Sequence, residues 1–184
     1  LSCGSAVELP FADKVDAIVH AYLGGQAIAE AVLDVIVGKV NPSGKLAESY
    51  PYEYKDCSSA SHFPGKQRSV EYREGMFVGY RYYDTAGVPV RYPFGFGLSY
   101  TTFEYSGLAV DKSGVTFTIA NTGDRDGAEV AQLYVGLPGA KVFRPAKELR
   151  GFKKVFVKAG ESVKVTIPFD ERTFRYFNVK TNKW

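Results

Sequence analysis

The chain has 184 residues, of which 45% are hydrophobic and 15% aromatic, so it can build a real core in one large domain or two small ones. Its 23 basic and 20 acidic residues are interspersed and leave a net charge of only +3. This balance argues against a nucleic-acid surface, which needs clustered lysine and arginine. No apolar run approaches the roughly 18 residues that a membrane span needs.

The first half of the chain alternates between strand and helix patterns. The apolar run Ala17–Tyr22 predicts a strand buried on both faces. Residues 26–37 predict a helix, because their polar side chains recur every four positions, and Gly38 follows where a C-cap glycine would lie. After an Asn-Pro-Ser-Gly turn, residues 45–51 predict a second strand. Together these elements predict a βαβ unit of a parallel, helix-covered sheet, which cannot close a domain by itself.

From about Phe103 the pattern changes to short alternating runs. Six such runs follow one another, and Gly, Asn, Asp or Pro separates them about every ten residues. In the second run, Val115, Phe117 and Ile119 share one face. Regular short strands with turn signals predict an antiparallel β-sandwich. The boundary between the α/β part and the all-β part is therefore expected near residues 98–103.

A dense aromatic stretch joins the two parts, with GYRYYD at 79–84 and YPFGFGLSYT at 92–101. It would suit a sugar platform, a nucleic-acid surface or a buried seam between domains. We interpret it as a seam, because side chains of an extended chain alternate between faces and no face gathers all the rings. Partial exposure to a substrate cleft remains the alternative. Most of six rings are expected to be buried: Tyr80, Tyr82, Tyr83, Tyr92, Phe94 and Phe96.

The order of the motifs carries a resemblance to a known family. The chain contains, in sequence, LSCGSAVELP, YLGGQAIAEAVLDVIVGKVNPSGKLAESYP, YREGMFVGYRYYD, YPFGFGLSYTTFEY and ELRGFKKVFVKAGESVKVTI. Over essentially its whole length it closely resembles the C-terminal half of glycoside hydrolase family 3, which includes β-glucosidases. The resemblance implies that residues 1–100 form the C-terminal part of an α/β sandwich domain, with the hinge at Phe94–Tyr100. Residues 101–184 would be a fibronectin type III-like domain.

The expected fold class is therefore α/β followed by all-β. A partial α/β sandwich, with a parallel sheet and helices, would precede an immunoglobulin-like fibronectin type III β-sandwich. The run FRYFNV at 174–179 would be the sixth strand, whereas seven are expected of such a domain, so its last strand is predicted to be missing. The chain is accordingly expected to be a fragment, or one chain of a nicked molecule.

The resemblance also implies a chemistry. Enzymes of the family are retaining: one carboxylate attacks the anomeric carbon, and a second acts as acid and then base about 5–5.5 Å away. The family's nucleophile belongs to a separate barrel domain, and its acid/base precedes the segment that matches Leu1. Neither can be carried over, so no catalytic residue is expected here. This chain would supply scaffold and part of the cleft wall of a β-glycosidase acting on terminal non-reducing β-linked sugars, and would be inactive alone.

Local carboxylates offer weak substitutes for that pair. Glu71 and Glu74 flank Arg73, but on an extended chain they would lie on opposite faces and roughly 10 Å apart. A positioning or ion-pair role is the stronger interpretation, and Arg73 and Glu74 are retained as candidates for proximity to the substrate. Glu30 and Asp34 are explained by a solvated helix stripe.

The sequence predicts neither a metal site nor a cofactor. Gly24 and Gly25 precede the helix but lack the spacing of a phosphate-binding loop. His20 lies in an apolar run and is expected to be a hydrogen-bonded core histidine, whereas His62 falls in a serine-rich loop. Cys3 and Cys57 have no ligand-like spacing with either.

The expected partners are a small saccharide and the missing barrel and upstream α/β segments, either on the same polypeptide or on a nicked second chain. No nucleic-acid or membrane partner is expected. Two other functions stay open: an autonomous carbohydrate-binding module and a purely scaffolding or interaction domain. The sugar, the linkage and the oligomeric state cannot be read from the sequence. Unpaired cysteines and the lack of a signal peptide favour a bacterial cytoplasm, although truncation would also explain the missing signal.

Overall fold

The computed structural model describes residues 1–66 and 68–184 of the chain. Their contacts divide the chain into two compact units. The first unit comprises Leu1–Val40, Lys45–Gly97 and Gly139–Ala146. The second unit comprises Asn41–Gly44, Leu98–Pro138 and Lys147–Trp184. The division into domains at 1–100 and 101–184 is kept as a proposal.

The helix predicted in the first half is present as α1, Ile28–Ile36. It ends as expected: Gly38 has a φ of +73°, and its N–H donates to the carbonyl of Val35 at 3.0 Å. Every residue of α1 remains partly or fully exposed. Leu33 and Ile36 are 56% and 61% exposed, so the helix carries an uncovered apolar stripe.

The parallel βαβ unit predicted around this helix is not present in the described part of the chain. Ala17–Tyr22 is not a strand, and the second predicted strand is reduced to β1, Tyr50–Pro51. β1 pairs antiparallel with β2, Val90–Tyr92. Apolar composition signals burial, but a strand forms only where a neighbouring backbone satisfies its hydrogen bonds.

One trace of parallel pairing does occur beside Ala17–Tyr22. The amino group of Leu1 donates to the carbonyl of Val19 at 2.7 Å, and the N–H of Ala21 donates to the carbonyl of Leu1 at 3.0 Å. Leu1 thus donates to the residue before His20 and accepts from the residue after it. This is the hydrogen-bonding pattern of two parallel strands. The backbone on either side of His20 is thus partly paired, although Tyr22 has a φ of +50° and ends any extended run.

The aromatic hexapeptide is helical, which corrects the extended conformation predicted from its tyrosines. α2 comprises Tyr80–Ala86, preceded by Gly79 with a φ of +55° and followed by Gly87 with a φ of +68°. Tyrosine favours strands, but the flanking glycines adopt left-handed conformations that begin and end a short helix at low cost. Two 3-10 turns, Ala12–Lys14 and Tyr54–Asp56, complete the helical elements described. None of these described helices is long and apolar enough to cross a membrane.

A segment from later in the chain also belongs to the first unit. Residues 139–146 lie between two strands of the second unit in the sequence. The N–H of Ala146 donates to the hydroxyl of Thr85 on α2 at 2.9 Å. The ring of Phe143 stacks on Phe77 with 4.8 Å between the centroids.

The second unit is the antiparallel sandwich that the alternating runs predicted. Its strands are β3 (Phe103–Val110), β4 (Gly114–Asn121), β5 (Gly127–Val135), β6 (Glu148–Val157) and β7 (Ser162–Pro168). One sheet has the order β3-β4-β7 and the other pairs β5 with β6, all antiparallel. The core between the sheets is Val115, Phe117, Ile119, Ala131, Val157, Val165 and Ile167. The inward face predicted for β4 is therefore confirmed.

The sixth predicted strand is not formed. FRYFNV lies in a region of turns with a single bridge between Asn178 and Lys183. The guanidinium of Arg150 on β6 donates to the carbonyls of Arg172 and Arg175 at 3.3 and 3.2 Å, so these backbone groups bond a side chain rather than a neighbouring strand.

Candidate functional site

Most of the six aromatic rings near α2 were expected to be buried, but only one of them is buried and the others are partly exposed. Tyr83 is 7% exposed, and the other five are intermediate. Tyr80 stacks on Phe94 with 4.8 Å between ring centroids, and Tyr92 stacks on Phe96 with 5.2 Å. Rings that face one another in pairs do not offer an open platform for sugars or bases.

Tyr83 is the most buried of these rings, and its hydroxyl has a definite partner. It donates to Sγ of Cys57 at 3.6 Å. Burial, with the Cys57 contact second, raises the pKa of Tyr83 well above its usual range. The hydroxyl therefore stays protonated near neutral pH and has the properties of a structural group.

Arg73, one of the two candidates for proximity to the substrate, lies at the surface. Its guanidinium is paired with the carboxylate of Glu71, and both side chains are more than half exposed. A surface ion pair of this kind contributes little to stability and leaves both charges open to solvent or a ligand.

Glu74, the second candidate, lies in a more sheltered position. Its carboxylate accepts a hydrogen bond from the hydroxyl of Ser58, and the contact is partly buried. Glu71 and Glu74 thus make separate contacts, one with Arg73 and one with Ser58. This arrangement resembles positioning of a loop more than a catalytic carboxylate pair, which must face a common atom.

Of the remaining carboxylates on α1, Glu30 is exposed as expected, whereas the Asp34 side chain is only 24% exposed. Asp34 accepts from the ammonium of Lys39 at 3.0 Å, and the lysine side chain is 66% exposed. Glu30 lies in the first turn of the helix, where a negative charge interacts favourably with the helix dipole.

His20 is hydrogen-bonded, as predicted, but it is half-buried rather than a core residue, and its partners were not foreseen. Its Nε2 lies 2.8 Å from the hydroxyl of Tyr50, which is 2% exposed. The ring of Tyr22 packs against it with 3.9 Å between centroids. Burial lowers the pKa of His20. These residues are 30 positions or fewer apart, but no local spacing in the sequence signals their contact.

The other titratable candidates do not assemble. His62 contacts the hydroxyl of its neighbour Ser61 at 3.2 Å, and both Cys3 and Cys57 are free thiols. Within residues 1–66 and 68–184, no group of three or more His, Cys, Asp and Glu side chains is arranged to hold a metal ion.

Comparison with known proteins identifies the family. Residues 1–100 match the profile of the glycosyl hydrolase family 3 C-terminal domain, and residues 129–184 match that of the fibronectin type III-like domain. The chain belongs to glycosyl hydrolase family 3. The two matched domains fit the domain types expected from the motifs, and the described elements are mostly strands with few helices.

Individual relatives are similar over nearly the whole chain. Thermostable beta-glucosidase B of Acetivibrio thermocellus is 49% identical over 189 residues and matches 98% of this chain. An exo-alpha-(1->6)-L-arabinopyranosidase of Bifidobacterium longum is 51% identical over 191 residues and matches all of it. The crystal structure of a Bifidobacterium adolescentis GH3 beta-glucosidase superimposes on 100% of this chain with a TM-score of 0.92 and 49% identity.

The match covers a limited part of these relatives. This chain spans 25% of the length of each of the two enzymes named first and 28% of the crystallised chain. The activities of those whole proteins are therefore considered for this chain only under the proposed function.

Proposed function

We propose that this chain is a portion of a retaining β-glycosidase that hydrolyses terminal non-reducing β-linked sugars. It supplies scaffold and part of the cleft wall, and both catalytic carboxylates belong to segments outside it. The observation that carries the proposal is similarity along nearly the entire chain to beta-glucosidases of which it spans a quarter. An arabinopyranosidase among the relatives keeps the choice of sugar open.

The surface of the first unit supports completion by other segments. α1 and its C-cap residue Val37 leave Leu33, Ile36 and Val37 exposed, and a soluble protein rarely leaves such an apolar stripe uncovered. Leu1 makes parallel-type hydrogen bonds beside His20. We infer that Ala17–Tyr22 joins a parallel sheet in the complete protein and that α1 covers one face of it, forming the α/β sandwich.

The carboxylates of this chain support its non-catalytic role. A retaining enzyme holds two carboxyl groups about 5–5.5 Å apart across the scissile bond. Glu71 is paired with Arg73, and Glu74 accepts from Ser58. Arg73 and Glu74 therefore remain proposals for proximity to the substrate, with orientation of a loop as their role.

The proposal is tested by assaying the 184-residue chain with aryl β-glucosides and β-xylosides, alone and mixed with the complementary piece of a family 3 enzyme. We expect no turnover above background by the chain alone and recovery on mixing, because covalent catalysis needs both missing groups. Turnover by the chain alone that is lost in Glu71→Gln or Glu74→Gln would place the active site here instead. Glu30→Gln is the matched control on a solvated helix face.

One observation favours a second function, that of a carbohydrate-binding module. Phe152 and Phe156 project from the same face of β6 and are 68% and 62% exposed, with Lys154 between them. Exposed rings on a sheet face can stack on sugar rings. Calorimetry with β-linked oligosaccharides tests this alternative: binding that Phe152→Ala abolishes supports it, and the absence of heat exchange at millimolar sugar excludes it.

A further inference from the structure

Two segments that are far apart in the sequence meet in the first unit through a pair of stacked rings. Phe77 follows the loop that carries Arg73 and Glu74, and Phe143 belongs to residues 139–146. The two rings have 4.8 Å between their centroids and 30° between their planes. Phe143 is nevertheless 74% exposed, so the stack covers only one side of its ring and leaves the rest open to solvent.

The side chains that adjoin the stacked rings in the sequence are also apolar and exposed. Met76 and Val78 flank Phe77 and are 46% and 44% exposed. Val142 precedes Phe143 and is 45% exposed. The ring stack brings these two exposed stretches together, and we call Met76, Val78, Val142 and Phe143 the Phe143 patch. Apolar side chains that are exposed as a group, rather than singly, mark a surface that binds something.

Both segments of the patch are anchored to the rest of the first unit. In the loop, the carboxylate of Glu74 accepts from the hydroxyl of Ser58, and its carbonyl accepts from the N–H of Phe77 at 3.0 Å. In the other segment, the N–H of Ala146 donates to the hydroxyl of Thr85 at 2.9 Å. A surface that is held in place in this way loses little conformational freedom on binding, so little ordering opposes the burial of its apolar area.

The composition of the Phe143 patch favours a protein surface over a sugar as its occupant. Aromatic residues and methionine are enriched where proteins bind proteins, and charged residues are displaced to the rim. Lys141 and Arg144 border the patch in the sequence, as such a rim requires. A sugar site adds convergent hydrogen-bonding groups to its rings, whereas the four side chains of the patch carry no N–H or O–H donor. We therefore expect a mainly apolar protein surface to cover it.

We propose that the Phe143 patch is the docking surface for the part of a family 3 enzyme that lies outside this chain, an inference that rests on the proposed function. The chain spans 28% of the crystallised Bifidobacterium adolescentis enzyme, so most of such a protein is available to cover the patch. A segment of the same polypeptide meets the patch at a high effective concentration, whereas a second copy of the chain must be captured from dilute solution. This difference favours the remainder of the enzyme over a second copy.

The test measures binding of the 184-residue chain to the complementary piece of a family 3 enzyme by isothermal titration calorimetry. Phe143→Ala should raise the dissociation constant about 10- to 100-fold, as expected of an aromatic residue near the centre of an interface. Val142→Lys should also weaken binding and leave the ring stack in place, since it puts an ammonium group into an apolar contact. Phe174→Ala is the matched control and should leave the constant unchanged. Phe174 also packs on another phenylalanine, Phe169, and is 59% exposed.

Met76 provides a second readout, because it is the one methionine of the chain. Hydrogen peroxide converts its thioether to the sulfoxide and is itself reduced to water. Peptide mass spectrometry should show that this oxidation slows as the fraction of chain bound to the complementary piece rises. Prior oxidation should weaken binding, because the sulfoxide is polar. This readout needs no substitution, so it tests the surface even if Phe143→Ala does not fold.

The possible outcomes separate this inference from the proposed function. If the native chain binds and restores hydrolysis, but Phe143→Ala and Val142→Lys bind as tightly and Met76 oxidises at an unchanged rate, the docking surface is wrong and the proposed function stands. If the native chain does not bind the complementary piece, both are wrong. Dimers of the native chain that Phe143→Ala abolishes, or binding of cellobiose that the same variant abolishes, would assign the patch to a second copy or to a saccharide instead.

Discussion

The hydroxyl of Thr101 donates a 2.6 Å hydrogen bond to the side-chain carbonyl of Asn121, and both residues are buried. The amide nitrogen of Asn121 in turn donates to the carbonyls of Arg125 at 2.7 Å and Val157 at 3.0 Å. One buried side chain therefore connects the start of the sandwich, the turn after β4 and the end of β6. Polar groups buried in this way are stabilising only while every partner is present.

Asn121→Ala is expected to lower the free energy of unfolding by about 2–4 kcal/mol, because the Thr101 hydroxyl and the carbonyl of Val157 would be buried without their partner. Urea denaturation of the 184-residue chain measures the loss. Thr122→Ala is the control, since this neighbour is exposed and its hydroxyl meets that of Thr102 at the surface. Equal losses in the two variants would contradict the role assigned to Asn121.

Ile119 on β4 is 0% exposed and lies in the centre of the sandwich core. Ile119→Ala should cost about 2–5 kcal/mol of unfolding free energy, through lost burial and the cavity left behind. Thr118→Ala, one residue away on the opposite face, should cost less than about 1 kcal/mol. Thermal denaturation followed by circular dichroism distinguishes the two variants. A large effect of Thr118→Ala would mean that the faces are wrongly assigned.

The stability of the first unit should fall on mild acidification because of His20. Its folded pKa lies below 6.5, so the unfolded chain binds a proton first as the pH falls. The contribution of neutral His20 is fully present above about pH 6.5 and is lost as the pH falls through the folded pKa. Denaturation at a series of pH values should show a slope in this range that His20→Gln reduces and His62→Gln does not. A slope unchanged by His20→Gln would assign the acid sensitivity to another group.

Gly87 ends α2 in a left-handed conformation with a φ of +68°, and open space surrounds the position of a Cβ. Gly87→Ala should therefore destabilise by about 1 kcal/mol through backbone strain alone. Gly25→Ala is the matched control: it also has open space, but its φ lies outside the positive range, so it should be neutral or slightly stabilising. Similar effects at both glycines would argue against strain as the cause.

Periodicity alone predicted the elements whose partners are close in the sequence. α1 was recognisable from the four-residue recurrence of polar side chains, and β4 from its alternation, because both patterns arise within one element. Ala17–Tyr22 was predicted as a strand from composition, yet a strand is completed by a neighbour. The helix α2 was missed because the preference of tyrosine for strands hid the two glycines that delimit it.

The same contrast between local patterns and long-range contacts applies to the candidate site. The hydrogen-bonded state of His20 could be inferred from its apolar surroundings, whereas its contact with Tyr50 depends on chain segments that no local motif connects. The absence of a catalytic motif was inferred from the family resemblance rather than from physical pattern. Only the structure, in turn, assigned separate partners to Glu71 and Glu74.

Residues 139–146 also constrain the order in which the protein can fold as it is made. A ribosome delivers the chain from its amino terminus, and domains that are continuous in sequence can fold as soon as they emerge. The first unit gains the stacking of Phe143 on Phe77 and the hydrogen bond from Ala146 to Thr85 only after β5 of the second unit has already been synthesised. The first unit therefore cannot complete its packing until much of the second unit has been synthesised. We expect the two units to fold together rather than one after the other.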